Sequence, residues 1–390
     1  MPSFPLAGRR IHIAGSVHDD PAIASTAEGQ AVGAFVTALV ADLMRDGASF
    51  VVPLDDLKTR DADGLPLTFD WLVFQAIQGN LHRRPASLSA ESLVVAVKHH
   101  KSEEQVPTAY AQALDDLRAS GHVHTVSAAH WNMASKRMDI QALYGDVLIA
   151  LGGSEGVTYL ANLYHETGRP VIPLNFKLTP PGVGARRLFD LAQTREHGPR
   201  FFRLTEDADV SDRINQLDFA GRHDTTHRVA TVMRILRELE RPTAFAVRLL
   251  DAGDTENYQA VEDQFSGVVK PFVEDELGYR LVVIDQTHRQ EAPFITQEIF
   301  NRLHRAELVV ADLTGLRPNC FLELGYALGR QHQLMVLARA GTKLPFDTAA
   351  VDTAFWSPES TLVDRRTQLR QHWQRVRNRR SLVEASPLVP

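Results

Sequence analysis

Asp146-Val147-Leu148-Ile149-Ala150-Leu151-Gly152-Gly153-Ser154-Glu155-Gly156-Val157 is an apolar run that breaks at two glycines and passes into an amphipathic stretch. Unbroken apolar residues, rather than alternating ones, mark a strand covered on both faces, as in parallel sheets flanked by helices. The glycines fall where the chain leaves the strand. A helix is expected to follow over 157–166, and a further strand over 171–174.

The same rhythm extends outward in both directions. Ile11-His12-Ile13-Ala14-Gly15 opens the series as a strand. A helix is expected over 28–45, with Phe35, Leu39 and Leu43 on one face and Gly47 just past its end. Strands at 49–52 and 92–98 and helices at 71–79, 108–119 and 131–144 complete a Rossmann-like alternation. The charged segment 207–242 reads as a helical linker that stops at Pro242. A second series follows, with strands at 244–250, 280–285, 308–312 and 334–338 and helices at 261–276, 295–304 and 320–330. The expected fold is α/β: two tandem Rossmann-like or flavodoxin-like domains with mainly parallel sheets, at 1–206 and 243–357. A basic helical tail at 358–390 carries seven arginines between Arg365 and Arg380. It reads as a solvated or packing helix, or as an oligomerisation or anion-binding one.

Composition narrows the function classes. The 390 residues carry 42 basic and 48 acidic side chains, a net charge of −6, so no global basic field suggests a dedicated nucleic-acid partner. One cysteine, Cys320, excludes an intramolecular disulfide framework and a cysteine-rich zinc site. The 16 histidines are scattered; His99-His100 and His122-x-His124 lack a third ligand, so no metal is expected. The N-terminus lacks a signal-peptide run and no long uninterrupted apolar stretch suggests a membrane span. The expected setting is cytoplasmic.

The turn at 152–156 joins a buried strand to a helix. Glycines let a backbone approach a ligand, and the helix start offers unpaired N–H groups. Gly15-Ser16 ends another strand of the same sheet, and Arg137 precedes the strand at 146–151. Ligands of parallel sheets lie at the carboxyl ends of strands, and the arginine fork suits phosphate. A tight turn without ligand and an exposed helical charge are the plainer alternatives.

Ile13-Ala14-Gly15-Ser16, Arg137 and Asp146–Gly153 together resemble the SLOG superfamily, which includes LOG phosphoribohydrolases and the DNA-processing protein DprA. LOG enzymes read Pro-Gly-Gly-x-Gly-Thr followed by glutamates. Here Leu151 replaces the proline, and Val157-Thr158-Tyr159-Leu160 carries no glutamate. The segment looks more like the STALD branch, which accompanies effector domains in bacterial antiphage systems. That resemblance implies a site for a signal nucleotide, of cyclic ADP-ribose or cyclic nucleotide type, at Gly15, Ser16, Lys136, Arg137, Gly152, Gly153, Ser154, Glu155 and Gly156.

In the second series, Leu308–Asp312 is a strand that delivers Asp312 at its carboxyl end. A loop with Gly315 and Pro318 leads to a helix, for which Asn319 is the expected N-cap. Glu323 then lies near the start of that helix, on the same edge as Asp312. Cleaving an N-glycosidic bond builds positive charge on the ribose, which a carboxylate stabilises or traps. A surface-capping glutamate is the alternative.

Asn319-x-x-x-Glu323-Leu324-Gly325-Tyr326 resembles both nucleoside 2-deoxyribosyltransferases and bacterial TIR-like domains, and Leu344-Pro345-Phe346-Asp347 matches a turn of the latter. The resemblance implies that Glu323 is catalytic, with Asp312 beside it. Arg248, Asp251, Asn319, Tyr326 and Trp356 are the expected substrate-binding residues, and Phe294 is a further aromatic candidate. Thr314-Gly315-Leu316-Arg317 stands in place of the transferases' acidic loop, which favours NAD as the substrate. The expectation is a nucleotide-regulated NAD glycohydrolase that needs no cofactor, works as a homo-oligomer and acts in antiphage defence. A deoxyribosyltransferase-like enzyme and a non-catalytic sensor are the alternatives.

Overall fold

Apolar runs without polar interruption are buried on both faces only between two helical layers, and that is how this chain folds. The computed structural model describes residues 4–88, 93–99, 106–128, 133–194, 196–205, 208–221, 224–249, 255–284, 292–348 and 351–379. The chain divides into two units, Phe4–Glu240 and Arg241–Glu384. Each is an α/β structure around its own mainly parallel sheet.

The first unit runs β1 (Arg10–Ser16), α1 (Thr26–Arg45), β2 (Ser49–Leu54), α2 (Asp70–Gly79), β3 (Val94–His99), α3 (Thr108–Ala119), β4 (Val123–Ala128), α4 (Met133–Tyr144), β5 (Val147–Gly152), α5 (Glu155–Glu166) and β6 (Val171–Leu174). Its strands lie in the order β4-β3-β2-β1-β5-β6, all parallel. The order reverses between β1 and β5, where Gly15 sits opposite Leu151 and Ser16 opposite Gly152. Such a switch point opens a crevice at the carboxyl edge.

Helix α1 shows why the elements form where they do. The Ser25 hydroxyl accepts the Glu28 N–H at 3.2 Å and caps its start. Gly47, at φ 89°, ends it in the left-handed conformation that glycine adopts freely. Val32, Phe35, Val36, Leu39, Val40 and Leu43 are fully buried; such side chains contribute roughly 1.5–3 kcal/mol each. The helix is long and apolar enough to span a membrane by length and composition. Here its apolar face is a core face, with Phe35 against Phe176 at 5.2 Å and Phe219 at 6.0 Å.

After β6 come α6 (Ala185–Ala192), α7 (Gly198–Phe201), α8 (Val210–Asn215) and α9 (Thr225–Glu238). The last two fall in the segment expected to be a linker. They are instead part of the first unit's core, because Val229, Val232, Met233, Ile235 and Leu236 form a buried stripe.

The second unit runs β7 (Thr243–Val247), α10 (Thr255–Gln264), β8 (Arg280–Val282), α11 (Ala292–His304), β9 (Leu308–Asp312), α12 (Pro318–Gly329), β10 (Gln333–Arg339), β11 (Thr353–Trp356) and α13 (Leu362–Val376). Its strand order is β11-β10-β9-β7-β8, parallel throughout. The order reverses between β7 and β9. Alternate residues face opposite layers: Val309 and Ala311 meet α12, while Leu308 and Val310 share the core of Trp356 and α13.

The helix expected over 261–276 is not uniform. Beyond Gln264 it widens into two π turns, Phe265–Val269 and Phe272–Glu276, on either side of Pro271. Proline lacks the N–H that a regular helix needs there. The basic tail is not free either. Leu369, His372 and Val376 of α13 are buried, Arg370 holds Glu276 through two hydrogen bonds of 2.6 and 2.7 Å, and Arg375 pairs with Asp352. The packing alternative therefore describes this helix.

Candidate functional site

Glu323 owes its place to a short turn. Gly315 (φ 79°) and Leu316 (φ 52°) are both left-handed and swing the chain out of β9. Pro318 then opens α12 at its first position, where a missing N–H costs nothing. Arg317 is consequently the N-cap, and Asn319, expected in that role, is an exposed first-turn residue. Glu323 follows in the second turn, half-buried. It accepts no hydrogen bond from the described residues, and burial pushes its carboxyl up to about 7. A half-buried carboxyl raised towards neutrality, with no partner among the described residues, is of the kind that acid–base and electrostatic catalysis uses.

Cys320 lies one turn earlier on the same helix. Burial and the neighbouring Glu323 carboxylate push its thiol up to about 12, so it is a protonated filler rather than a nucleophile.

Asp312 differs from the expectation. It is 0% exposed, and both of its oxygens are occupied: one accepts the Thr314 N–H at 2.9 Å, the other the Trp356 indole N–H at 2.8 Å. Burial raises its pKa, opposed by the Thr314 and Trp356 hydrogen bonds and by Arg248. It braces the loop that leads into the helix of Glu323, and with both oxygens engaged it presents no second free carboxylate. Trp356, expected to stack on substrate, is 2% exposed because its ring fills the core and its N–H serves Asp312. A Trp356→Phe substitution leaves one Asp312 oxygen buried without a donor. It should cost about 1–3 kcal/mol, read as a lower urea midpoint at unchanged m-value.

The remaining candidates are partly committed. The Arg248 guanidinium bonds Glu262 at 2.6 Å and lies 5.2 Å from the centre of the Phe265 ring. The Tyr326 hydroxyl meets His304 Nδ1 at 2.7 Å and its ring is edge-on to Phe300. Asp251 and the Phe294 side chain lie outside the described residues. Thr314, Glu262 and His304 were not foreseen. Only Thr314, directly after the strand's closing Asp-Leu, had a positional signal.

In the first unit Gly15 and Gly152 prove to be contacts of backbone on backbone, whereas Gly153 lies against the Val157 side chain. A Cβ on Gly15 would stand 1.6 Å from the Leu151 carbonyl oxygen, and one on Gly152 2.3 Å from that of Ser16. The Gly153 N–H donates to the Ser16 carbonyl at 2.9 Å. Gly184, which the sequence did not single out, closes the same knot, since its Cβ would meet the carbonyls of Gly153 and Gly152. Gly156 is unlike these, with only Met138 Cε at 4.0 Å. Ser154 is the N-cap of α5 without a side-chain cap bond, and both Ser154 and Glu155 are exposed.

Arg137 bonds Asp55 at 2.7 Å, just past the end of β2. Asp70, the first residue of α2, stands nearby. Burial pushes its carboxyl up to about 7 against the pull of Arg137 and the Thr68 hydrogen bond. Thr68 in turn bridges Ser16 through the backbone. The structure thus brings Arg137 together with two acids the sequence had not marked, on the edge that holds Ser16. The Lys136 side chain lies outside the described residues. No group of three or more metal-ligating side chains occurs among the described residues.

Residues 6–236, more than half of the chain, match the family described as "ATP nucleosidase Cap17-like, N-terminal". Among solved structures, a conserved protein from Enterococcus faecalis V583 is similar at 14% identity, over 34% of this chain and 99% of its own, with a TM-score of 0.21. No curated protein matches the chain.

Proposed function

The chain belongs to the ATP nucleosidase Cap17-like family through residues 6–236, and we propose that its second unit, beyond that match, cleaves the N-glycosidic bond of an adenine nucleotide, with NAD as the substrate its residues favour. The observation that carries this reading is Glu323: half-buried, without a hydrogen-bond partner among the described residues, and raised to about 7 by burial. The resemblance of Asn319–Tyr326 to TIR-like domains supports it.

The chemistry separates the two substrates. In NAD the C1′–N bond electrons pass to a cationic pyridinium, which leaves as neutral nicotinamide and needs no proton. One carboxylate beside the ribose suffices to stabilise the developing cation, and water then adds to C1′ and releases a proton. Adenine leaving ATP must be protonated as it departs, so an acid and a base are both needed. With Asp312 enclosed, Glu323 alone serves the first reaction better than the second. The family description favours ATP, and both nucleotides belong in the assay: purified protein with each, products separated by chromatography.

We further propose that the carboxyl edge of the first unit binds the nucleotide that controls this activity. Arg137 would exchange Asp55 for a phosphate. The two side chains are 21% and 35% exposed, so water still screens the pair and it contributes about 1 kcal/mol to stability. Arg137→Ala should therefore leave the thermal midpoint nearly unchanged while weakening binding of a cyclic ADP-ribose or cyclic nucleotide by about tenfold or more in calorimetric titration. Equal affinity in both proteins would remove Arg137 from the site. NAD depletion on such a signal would suit an antiphage effector.

A further inference from the structure

At the carboxyl edge of the second sheet a cleft of about 450 Å³ is lined by Gly315, Leu316, Arg339, Gly341, Thr342 and Lys343, among others. We propose that this cleft is an anion-binding subsite that holds the diphosphate of the nucleotide. The inference rests on the nucleosidase reading of Glu323 and extends it to the non-reacting end of the substrate.

Charge is the first argument. The cleft wall carries two cations. Arg339 is paired, through Nη1, with Glu256 at 2.9 Å and Asn257 at 3.2 Å, but Glu256 is 81% exposed. An ion pair so open to water exchanges readily for a phosphate oxygen. Lys343 is exposed and makes no ion pair with the described residues. Two cations match the two negative charges of a dinucleotide's diphosphate, and the guanidinium fork suits its paired oxygens.

Backbone is the second. Gly315 (φ 79°), Leu316 (φ 52°) and Gly341 (φ 88°) are all left-handed. Leu316 has a Cβ, so its conformation costs about 1 kcal/mol or more, and such strain gathers at ligand clamps. Its side chain, 40% exposed, is not sequestered in a core that would compensate. A Cβ on Gly341 would meet nothing within 4 Å. That wall of the cleft is open space rather than a packing contact, unlike the glycine knot of the first unit.

Position is the third. The cleft lies past the ends of β9 and β10, which are neighbours in the sheet. The Arg339 N–H donates to the Thr314 hydroxyl at 2.8 Å, and the Thr314 N–H donates to Asp312. Gly315 and Leu316 therefore line the cleft and belong to the loop that leads into the helix of Glu323. One loop would register the phosphates on one side and the glycosidic bond on the other, which is how remote binding energy is turned to positioning the reacting bond.

The test uses inorganic pyrophosphate as the probe and the full chain as the protein. Wild type should bind pyrophosphate saturably in calorimetric titration, and Lys343→Gln and Arg339→Gln should each weaken that binding about tenfold. In the NAD assay the same substitutions should raise KM about tenfold with kcat retained. Turnover of nicotinamide riboside, which has no phosphate, should not change. Absence of pyrophosphate binding by wild type, unchanged binding in both variants, or an equal loss with nicotinamide riboside would each overturn the subsite. If the variants lose pyrophosphate while wild type cleaves neither NAD nor ATP, the subsite stands and the catalytic reading falls.

Discussion

Glu323→Gln protein is expected to release nicotinamide from NAD at least about 10³-fold more slowly than wild type, with KM little changed. Glutamine keeps the size of the side chain and removes the charge that the ribosyl cation requires, so the loss appears in the transition state. The wild-type rate should depend on pH in a defined direction. The working form is the carboxylate, and its pKa is raised to about 7, so activity should climb between about pH 6 and pH 8 with its midpoint near 7. If ATP is the substrate and Glu323 gives a proton to adenine, the same midpoint appears with the opposite slope. One pH profile thus separates the two reactions. Stability supplies the control. Unfolded, this glutamate titrates near 4.3. A carboxyl raised to about 7 in the folded chain allows full stability below that unfolded value. This stability is lost progressively as the pH rises towards 7. Glu323→Gln should therefore unfold at a higher temperature than wild type at pH 8 and at a similar one at pH 4. A variant that is inactive and less stable at pH 8 would point to misfolding and undo the assignment.

Much of this arrangement was legible in sequence because it is local. The run 147–151 is buried on both faces, as its unbroken apolar character requires. Gly47 stops α1, and Pro318 places Glu323 in the second turn of α12. What was not legible depends on residues brought together by topology. Trp356 ends β11, two strands from β9 and 44 residues from Asp312, and no local pattern joins its N–H to that carboxylate. Arg137 and Asp55 meet because α4 and β2 reach the same edge. Asn319 suits a cap by its own preference, but the proline before it decides the position. Proline's fixed φ takes the first helical position and pushes the cap back to Arg317. The segment expected to be a linker differs for a similar reason: its charges mask an apolar stripe that shows only at helical spacing on α9, where even Arg228 is buried.

Gly15→Ala should be the most damaging single change in the first unit, with a loss of about 4 kcal/mol or more in urea unfolding. The cause is steric. At φ 152°, a methyl on residue 15 would stand 1.6 Å from the Leu151 carbonyl oxygen and 2.6 Å from its carbon. Those atoms are backbone of β5, and Gly15 is paired in register with Leu151, so no side chain can turn aside. The two central strands must part, and with them the seam where Gly153 donates to Ser16. Gly156→Ala makes the contrast. Its neighbourhood is open, it lies inside α5, and alanine favours a helix by roughly 0.5–1 kcal/mol over glycine. That substitution should leave the fold as stable as wild type or more so. The pair separates two roles: residue 15 serves the approach of two strands, and residue 156, which no packing contact requires to be glycine, is the one whose role a binding measurement decides. If Gly156→Ala keeps its stability and loses affinity for the signal nucleotide, the helix start is part of the binding surface. If it keeps both, the glycine turn at 152–156 is there for the sheet alone, and the proposed nucleotide site is confined to Arg137 and its neighbours.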